Sequence, residues 1–396
     1  MIPLLAGLRV LDLTSVILGP YATQILGDFG AEIVKVEPPE GDSMRFVAPV
    51  MAGKVSAIFA NNNRNKRSVV LDLKTEAGRT ALMKLVPTAD AFVHNMRQQA
   101  LDKLGFTYKA VRAANPKIVY AAAVGFGRHG RYACKPAYDD VIQAASGFAG
   151  LFQMRDGAPL YAPTIAADKI SGLHLAHAVL AALLYRERSG KTPGYVEVPM
   201  FELMVAFSLS EHLSYATFDD GGKVGYVRVL SQGRRPYKTK DGWVGVLPYT
   251  ERNWAKVLNE IGRPEVAALA WFKDATERSK RVDELYGVLA EALPARTTAE
   301  WLAIFERLDI PHAPVRTPQE LLSDPHLADV GFFETHFAAP TPVKRSLRQA
   351  VNVEEVGSAP DLPPPPLGAD TADVLREAGC TETEIAAALP ATQSKK

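Results

Sequence analysis

The stretch L-R-V-L-D-L (residues 8–13), with G-P-Y-A-T-Q-I-L-G-D-F-G (19–30) and A-E-I-V-K-V (31–36) after it, decides the fold. The two apolar runs predict strands. Between them, Gly19-Pro20 favours a helix start and Gly30 a helix end, which predicts a helix over residues 21–29. A strand–helix–strand unit places its two strands parallel to each other in one sheet.

The same alternation continues along the chain. Strands are predicted at 68–73, 91–94 and 118–124, and helical segments at 76–86, 101–104 and 109–113. Alternating strands and helices are typical of α/β folds in which helices cover both faces of a parallel sheet. Residues 1–200 therefore predict a large, Rossmann-like domain.

The pattern changes after Met200. A helix begins there, and we predict that residues 201–226 form a linker helix. Asp241-Gly242 predicts the turn of a hairpin, and mostly helical sequence follows it. Residues 227–320 are therefore predicted to form a smaller α+β domain. Residues 321–396 predict a linker and a return to the large domain. They hold Pro-rich extended connectors at 340–342 and 362–367, then a docked helical segment over 370–389. Only 394–396 are predicted to fray.

Composition excludes several classes of protein. Lys plus Arg number 45 and Asp plus Glu 44, and this net charge of +1 gives no general attraction to nucleic acid or anionic membranes. Two cysteines, Cys134 and Cys380, cannot build a disulfide framework and fit a reducing compartment. The first residues lack the pattern of a signal peptide, and no unbroken apolar run is long enough to cross a membrane. These observations predict a cytoplasmic protein.

A lone carboxylate stands out in A-P-T-I-A-A-D-K-I-S-G (162–172). Asp168 follows an apolar run and precedes a long apolar helix that is predicted to reach Tyr185. A helix dipole favours the ionised form of a carboxylate at this end. Such a carboxylate is either a helix cap, which is the commoner case, or a nucleophile at the edge of an apolar core.

Three other motifs each allow a functional and a structural interpretation. Gly125–Gly130 matches the dinucleotide pattern G-x-G-x-x-G after a strand, but a loop follows where that site needs a helix, so the glycines predict a sharp turn over a ligand or a neighbouring chain. His174 and His177 share a helix face as metal ligands can, yet no further ligand lies near, which favours a packed or subunit-contacting pair. The basic segment 61–68 predicts either a solvated loop or a phosphate cradle.

Basic residues also follow the strand at 91–94. Asn95–Arg97 and Lys103 come after it, at the edge of the predicted sheet where the carboxyl ends of parallel strands gather and ligands bind. Together with the basic segment 61–68, these residues predict a local anion site in a chain whose net charge is close to zero.

The chain as a whole resembles the class III CoA-transferases, the group of formyl-CoA, carnitine and glutarate CoA-transferases. The resemblance covers nearly the full length. Its most specific pieces are L-A-G-L-R-V-L-D-L-T (5–14), residues 19–42, N-K-R-S-V-V-L-D-L-K (65–74), P-A-Y-D-D-V-I-Q-A-A-S-G (136–147) and L-G-A-D-T-A-D-V-L-R-E-A-G (367–379).

The resemblance implies a fold, a site and partners. It implies a Rossmann-like large domain built from both chain ends, a smaller domain, and two subunits interlocked as a homodimer. CoA thioester is the substrate, and no metal or tightly bound cofactor is implied. The family's nucleophile corresponds to Asp168. The CoA contacts fall on Val16, Ile17, Leu71, Leu73, Lys74, Asn95, Met96, Arg97, Lys103, Ala137 and Tyr138.

The implied reaction transfers CoA from an acyl-CoA donor to a free carboxylic acid through a covalent intermediate on the aspartate. The family's formyl-CoA branch carries a glycine run where this chain has Leu230–Arg235, which argues against oxalate and formate and makes Arg234 or Arg235 a candidate carboxylate anchor. Two alternatives stay open. The first is a 2-methylacyl-CoA racemase, whose histidine base is replaced by Tyr138 here. The second is a CoA-binding protein without turnover.

Overall fold

A six-stranded parallel sheet is the main structural feature of this computed structural model. Its strands are β1 Arg9–Leu13, β2 Glu32–Glu37, β3 Lys66–Val70, β4 Ala91–His94, β5 Val119–Val124 and β6 Val196–Pro199. They are ordered β3-β2-β1-β4-β5-β6, and every pair is parallel. The predicted α/β fold with a parallel sheet is confirmed. The direction of strand order reverses between β1 and β4, which is where such sheets bind ligands.

The described residues are 1–51, 55–133, 135–336 and 343–389. Of the expectations above, the connector at 340–342, the terminus 394–396 and Cys134 lie outside them. The described chain divides into two compact units. Unit 1 comprises 1–146, 161–207 and 328–396, and unit 2 comprises 147–160 and 208–327.

Helices cover both faces of the sheet in unit 1. They are α1 Leu18–Asp28, α2 Ala57–Asn62, α3 Glu76–Leu85, α4 Gln98–Leu104, α5 Tyr108–Ala114, α6 Asp139–Ala145 and α8 Ala166–Ser189. The first strand–helix–strand unit lies within three residues of its predicted bounds. Strand β3 begins earlier than predicted, because Lys66 already pairs with Ile33 of β2. It also ends earlier, because the backbone turns at Asp72, whose carbonyl accepts a hydrogen bond from the Thr75 N–H at 3.0 Å.

Helix α8 is the longest helix in the described part of the chain. Among the described helices, only α8 has the length and the apolar composition that a membrane-spanning helix needs. Its Leu175, Val179 and Leu183 are nevertheless buried, and it packs against α1 and strands β5 and β6. These contacts make α8 a core helix of unit 1.

The basic segment 61–68 is neither a solvated loop nor a phosphate cradle. Lys66 is buried, and its Nζ lies 3.1 Å from Asp12 and 2.9 Å from the carbonyl of Pro20. Arg64 pairs with Asp28 and, at 3.0 Å, with Asp361. Both predictions for this segment were wrong, because carboxylates from distant parts of the chain neutralise its charges inside the protein.

The C-terminal segment is part of unit 1. Helices α19 Thr371–Glu377 and α20 Glu382–Ala388 pack on β3 and α3 and bury Val374, Leu375 and Ile385. The Asp370 carboxylate accepts a hydrogen bond from the Ser68 N–H at 2.8 Å. Two antiparallel strands, Phe333–His336 and Val343–Leu347, precede this return.

Unit 2 is a smaller α+β unit. Strands Tyr237–Lys238, Trp243–Val246 and His312–Pro314 form an antiparallel sheet, and the first two make the predicted hairpin. The helices are α7 Phe148–Asp156, α10 Val227–Leu230, α11 Glu251–Glu260, α12 Pro264–Ala267, α13 Ala270–Lys273, α14 Ala275–Lys280, α15 Val282–Ala292, α16 Thr298–Leu308, α17 Pro318–Leu321 and α18 Pro325–Asp329. Helix α9, Met200–His212, runs from unit 1 into unit 2.

The predicted small domain, 227–320, falls inside unit 2. Residues 147–160 and 208–226 also belong to this unit, although the sequence analysis placed them in the large domain and the linker helix. Residues 147–160 join unit 2 through contacts with residues far away in sequence: Gln232 donates a hydrogen bond to the carbonyl of Arg155 at 3.0 Å, and α7 packs on α10.

Candidate active site

Four loops at the carboxyl edge of the sheet hold most of the predicted site residues. They follow β1, β3, β4 and β5, and the carboxyl ends of parallel strands share one edge. The predicted CoA-contacting residues in these loops are Val16, Ile17, Leu71, Leu73, Lys74, Asn95, Met96, Arg97, Ala137 and Tyr138. Lys103 lies slightly further on, inside α4.

A cavity of about 530 Å³ lies at this edge of unit 1. Its volume falls within the usual range for small-molecule sites. It brings together four predicted site residues, Val16, Ile17, Tyr138 and Asp168, and the remaining predicted contacts do not line it. Its other lining residues are Met44, Ile58, Asp139, Asp140, Ala162, Pro163, Thr164 and Ile165.

Asp168 is the third residue of α8 and is only 9% exposed. The residue that caps the helix is Ile165, which makes no side-chain capping bond, so Asp168 is not the helix cap. Asp168 forms no ion pair with any residue that the structure describes. Burial, together with the nearby carboxylate of Asp139, raises its pKa from 3.8 to about 7.

The expectation that the helix dipole keeps Asp168 ionised was therefore wrong. A dipole contributes roughly 0.3–1 kcal/mol at a helix end. One pKa unit corresponds to about 1.4 kcal/mol, so the dipole is too weak to offset a shift of this size. Burial without a cation decides the protonation state, and Asp168 is partly protonated at neutral pH.

Asp139 is the residue that the sequence analysis missed. Its Oδ1 accepts a hydrogen bond from the Asp168 N–H at 2.9 Å, and its Oδ2 accepts one from Gln143 Nε2 at 2.5 Å. The Gln143 carbonyl oxygen accepts a bond from the Ala162 N–H at 3.0 Å. These bonds tie α6 to the start of α8 and fix the two carboxylates side by side. The available signal was the pair Asp139-Asp140 at a helix start, within the motif 136–147.

Gly172 sets how closely α8 approaches α1. A Cβ at Gly172 would lie 2.7 Å from the carbonyl oxygen of Leu18 and 3.1 Å from the ring of Tyr21. Asp168 lies one helical turn before Gly172, on the same side of α8. The close approach at Gly172 therefore places Asp168 beside the residues that precede α1, which are Val16 and Ile17.

Residues 125–130 form a fixed loop rather than a nucleotide-binding turn. The N–H of Gly127 donates to Glu202 at 2.9 Å and that of Arg128 donates to Glu197 at 3.1 Å. A Cβ at Gly125 would lie 2.3 Å from the Cβ of Ala137. Gly125 is thus needed for the close packing of Ala137, which precedes the cavity residues Tyr138 and Asp139.

The turn after β3 is shaped by two residues of α3. A Cβ at Gly78 would lie 2.1 Å from the carbonyl oxygen of Asp72. The Arg79 guanidinium donates to the carbonyls of Leu73 and Lys74 at 3.2 and 2.9 Å. The backbone of the predicted CoA-contacting turn is therefore held from behind by α3.

We expect Gly78→Ala to raise the KM for acyl-CoA by roughly tenfold and to change kcat little, because the added methyl displaces the 71–75 turn. Steady-state kinetics with varied acyl-CoA measure both parameters. Gly150→Ala is the matched control, since a Cβ at this helical glycine meets nothing within 4 Å. An unchanged KM in the Gly78 variant would show that this turn does not bind CoA.

The other candidate residues do not line the Asp168 cavity. His174 and His177 are exposed with ring centres 6.0 Å apart, and no cluster of three or more metal-binding side chains occurs among the described residues. Burial lowers the pKa of His94 to about 3, so it is a neutral packed ring. Arg235 lines a separate cavity of about 680 Å³ in unit 2, whereas Arg234 does not.

Comparison with known proteins identifies the family. The model of CoA-transferase family III matches residues 5–371. The probable fatty acyl-CoA transferase Rv3272 of Mycobacterium tuberculosis is 32% identical over 338 residues, covering 82% of this chain and 86% of the relative. The acetyl-CoA:oxalate CoA-transferase of Acetobacter aceti is 32% identical over 325 residues, covering 81% and 83%.

A solved structure agrees in fold. A CAIB/BAIF family protein from Brucella suis superposes with a TM-score of 0.81 at 27% identity, covering 96% of this chain and all of that one. The racemase alternative is not favoured, because the relatives are named as transferases and no histidine is found among the described residues that line the Asp168 cavity. The chain belongs to CoA-transferase family III and is a CoA-transferase.

Proposed function

We propose that this CoA-transferase moves CoA from an acyl-CoA thioester to a free carboxylic acid through covalent intermediates on Asp168. The observation that supports this most is the buried Asp168 carboxylate, which has no cationic partner among the described residues and lines a ligand-sized cavity. A carboxylate with a raised pKa is a better nucleophile once it is ionised, and near neutral pH a large fraction is ionised.

The proposed reaction balances without water. The Asp168 carboxylate attacks the acyl carbon, and the C–S bond breaks. CoA thiolate departs, and a mixed anhydride between Asp168 and the donor acid remains on the enzyme. The thiolate attacks the aspartyl carbonyl, which releases the donor acid and leaves an aspartyl-CoA thioester. The acceptor carboxylate attacks the carbonyl carbon of this thioester, its C–S bond breaks, and CoA thiolate departs as a second anhydride forms. Thiolate attack on the acceptor's acyl carbon then releases the new acyl-CoA and restores the Asp168 carboxylate.

Burial serves this chemistry directly. Anhydrides and activated thioesters react readily with water, so a site that excludes water favours transfer over hydrolysis. Asp168 is nearly inaccessible, which keeps bulk water away from its carboxylate. The Asp168 N–H bond to Asp139 holds the start of α8 in place while the carboxylate is acylated.

The carboxyl edge of the sheet is the proposed CoA surface. Lys74, Arg97 and Lys103 supply positive charges suited to the phosphates of CoA. The backbone at Val16, Ile17, Leu71, Leu73, Met96, Ala137 and Tyr138 completes this surface in our proposal. CoA acts as a substrate here, and the proposal includes no metal and no tightly bound cofactor.

We further propose that the enzyme acts in the cytoplasm as an interlocked homodimer. Helix α8 exposes Leu173, Leu184 and Tyr185 by 40%, 57% and 48%, and an exposed apolar helix face favours burial against another chain. A second copy is the proposed occupant, as the family resemblance implies. Light scattering after size-exclusion chromatography should give twice the 43.0 kDa chain mass, and a monomer mass would contradict this assembly.

A transfer assay tests the proposed function. Acetyl-CoA, succinyl-CoA and a long-chain acyl-CoA are each mixed with isotope-labelled oxalate, glutarate or a fatty acid, and new acyl-CoA is detected by mass spectrometry. Labelled acid appearing in a thioester supports transfer. Hydrolysis alone would indicate a thioesterase, and deuterium uptake at the α-carbon of a 2-methylacyl-CoA without transfer would indicate a racemase.

A further inference from the structure

The side chain of Asn95 is bonded at both ends to the backbone of Ser15. Its Nδ2 donates to the Ser15 carbonyl at 2.8 Å, and its Oδ1 accepts from the Ser15 N–H at 3.0 Å. Asn95 directly follows β4 and Ser15 lies just after β1, so this pair joins the two loops at the point where strand order reverses. The family resemblance assigns Asn95 to CoA, and these two bonds use one donor and one acceptor position of its amide.

The residue after Ser15 has an unfavourable backbone conformation. Val16 has a φ of 70°, in the left-handed region where a β-branched side chain is rare and costly. Such conformations persist only where the surroundings impose them, and they concentrate at functional sites. Val16 lines the cavity that contains Asp168.

Further contacts hold the same segment. The buried Lys35 donates to the carbonyl of Thr14 at 2.9 Å and pairs with Asp42 at 3.0 Å. The Thr14 N–H donates to Asp12 at 2.9 Å, and the Val16 N–H lies 3.4 Å from Asp42. Residues 14–16 are thus fixed from the sheet side by buried charged groups and from the solvent side by Asn95.

From this arrangement we infer that Asn95 is a positioning residue for the transfer reaction, acting through Ser15 and Val16 and not through contact with CoA. The inference rests on the proposed function of the Asp168 cavity. Each end of the amide already makes one bond to Ser15, so a CoA contact that displaced either bond would release the strained Val16. The role of Asn95 is to keep the Val16–Ile17 wall of the cavity in place opposite Asp168.

Kinetics of Asn95→Ala test the inference. We expect kcat to fall at least tenfold and the KM for acyl-CoA to rise by a smaller factor, because the Val16–Ile17 wall that moves lines the Asp168 cavity and forms only one part of the proposed CoA surface. Arg97→Ala, by contrast, should raise KM and leave kcat nearly unchanged. Gln98→Ala is the matched control, since its exposed amide donates to Asp102 in the next turn of α4, and it should behave as wild type.

A second substitution separates positioning from loss of folding. Glycine adopts a φ of 70° without strain, so Val16→Gly removes the conformational penalty. In the Val16→Gly background, Asn95→Ala should cost more thermal stability than it does in the wild type, because relief of the strain at Val16 offsets part of the loss only when Val16 is present. A double-mutant cycle measures this coupling. Val16→Gly alone should raise the melting temperature and lower kcat, which keeps the inference testable if Asn95→Ala does not fold.

Clear results would overturn the inference. A rise in KM with unchanged kcat would make Asn95 a direct CoA contact, and wild-type kinetics would give it no role. Additive stability effects in the cycle would uncouple Asn95 from Val16. Asp168→Asn is assayed in parallel: full activity there would remove the proposed function itself, whereas its loss together with wild-type kinetics for Asn95→Ala removes only this inference.

Discussion

Asp168→Asn should lower the transfer rate by about 10³-fold or more while leaving affinity for CoA within a few-fold of the wild type. The amide keeps the size and the helix position of the carboxylate and cannot form an anhydride. Transfer is measured by the labelled-acid assay, and CoA affinity by calorimetry. Asp140→Asn, which changes a neighbouring carboxylate of the same cavity, is the control and should retain transfer.

The same variant should be more stable than the wild type, and the gain should depend on pH. The pKa of Asp168 is raised on folding, so the folded state resists ionisation. The resulting destabilisation is absent below pH 4, grows between pH 4 and 7, and is complete above pH 7. A shift from 3.8 to about 7 corresponds to ~4 kcal/mol. The melting temperature of Asp168→Asn should exceed that of the wild type by several degrees at pH 8 and equal it at pH 4.

The second large effect concerns Asp139. Transfer requires the ionised form of Asp168, so kcat/KM of the wild type should rise with pH around a midpoint near 7. Asp139→Asn removes the repulsion between the two carboxylates and should move this midpoint to lower pH. The plateau rate should also fall, because an amide donor in place of Oδ2 cannot accept the bond from Gln143.

The pH profile has its own control. Asp140 lines the cavity but is not among the causes of the raised pKa of Asp168, so Asp140→Asn should leave the midpoint unchanged. An unchanged midpoint in Asp139→Asn would show that burial alone sets the pKa of Asp168. A midpoint that moves to higher pH would contradict the electrostatic account.

The sequence predicted the sheet because its signals are local. The strand at 91–94 is placed as predicted, and the first helix and its flanking strands are displaced by only a few residues. Apolar periodicity, Gly19-Pro20 and Gly30 act within a few residues of where they occur. The division of the chain was harder to predict, because α7 packs on α10, about 75 residues away in sequence.

The sequence analysis did not predict which charged residues are buried or which distant residues they pair with. Arg64 and Lys66 suggested an anion site, and only the fold shows that Asp12, Asp28 and Asp361 neutralise them. The protonation state of Asp168 was mispredicted for the same reason, because the dipole of α8 follows from the sequence and the loss of solvent does not. One buried ion pair could have been predicted from the sequence: Lys35 is a charged residue within an apolar strand, and a buried charge needs a partner. Its partner in the structure is Asp42.

The small residues of the site illustrate a second limit. Gly78, Gly125 and Gly172 are required because backbone or side-chain atoms from other elements approach within 2.1 to 2.7 Å of where a Cβ would be. Such close approaches are a property of packed elements, and the sequence around each glycine does not reveal them.

The most direct test of the central claim is intact-protein mass spectrometry after brief incubation with acyl-CoA. We expect a covalent adduct that hydroxylamine removes and that peptide mapping assigns to Asp168, with no adduct on Asp168→Asn. An active enzyme whose adduct maps to another residue, or whose Asp168→Asn variant still forms the adduct, would contradict the account.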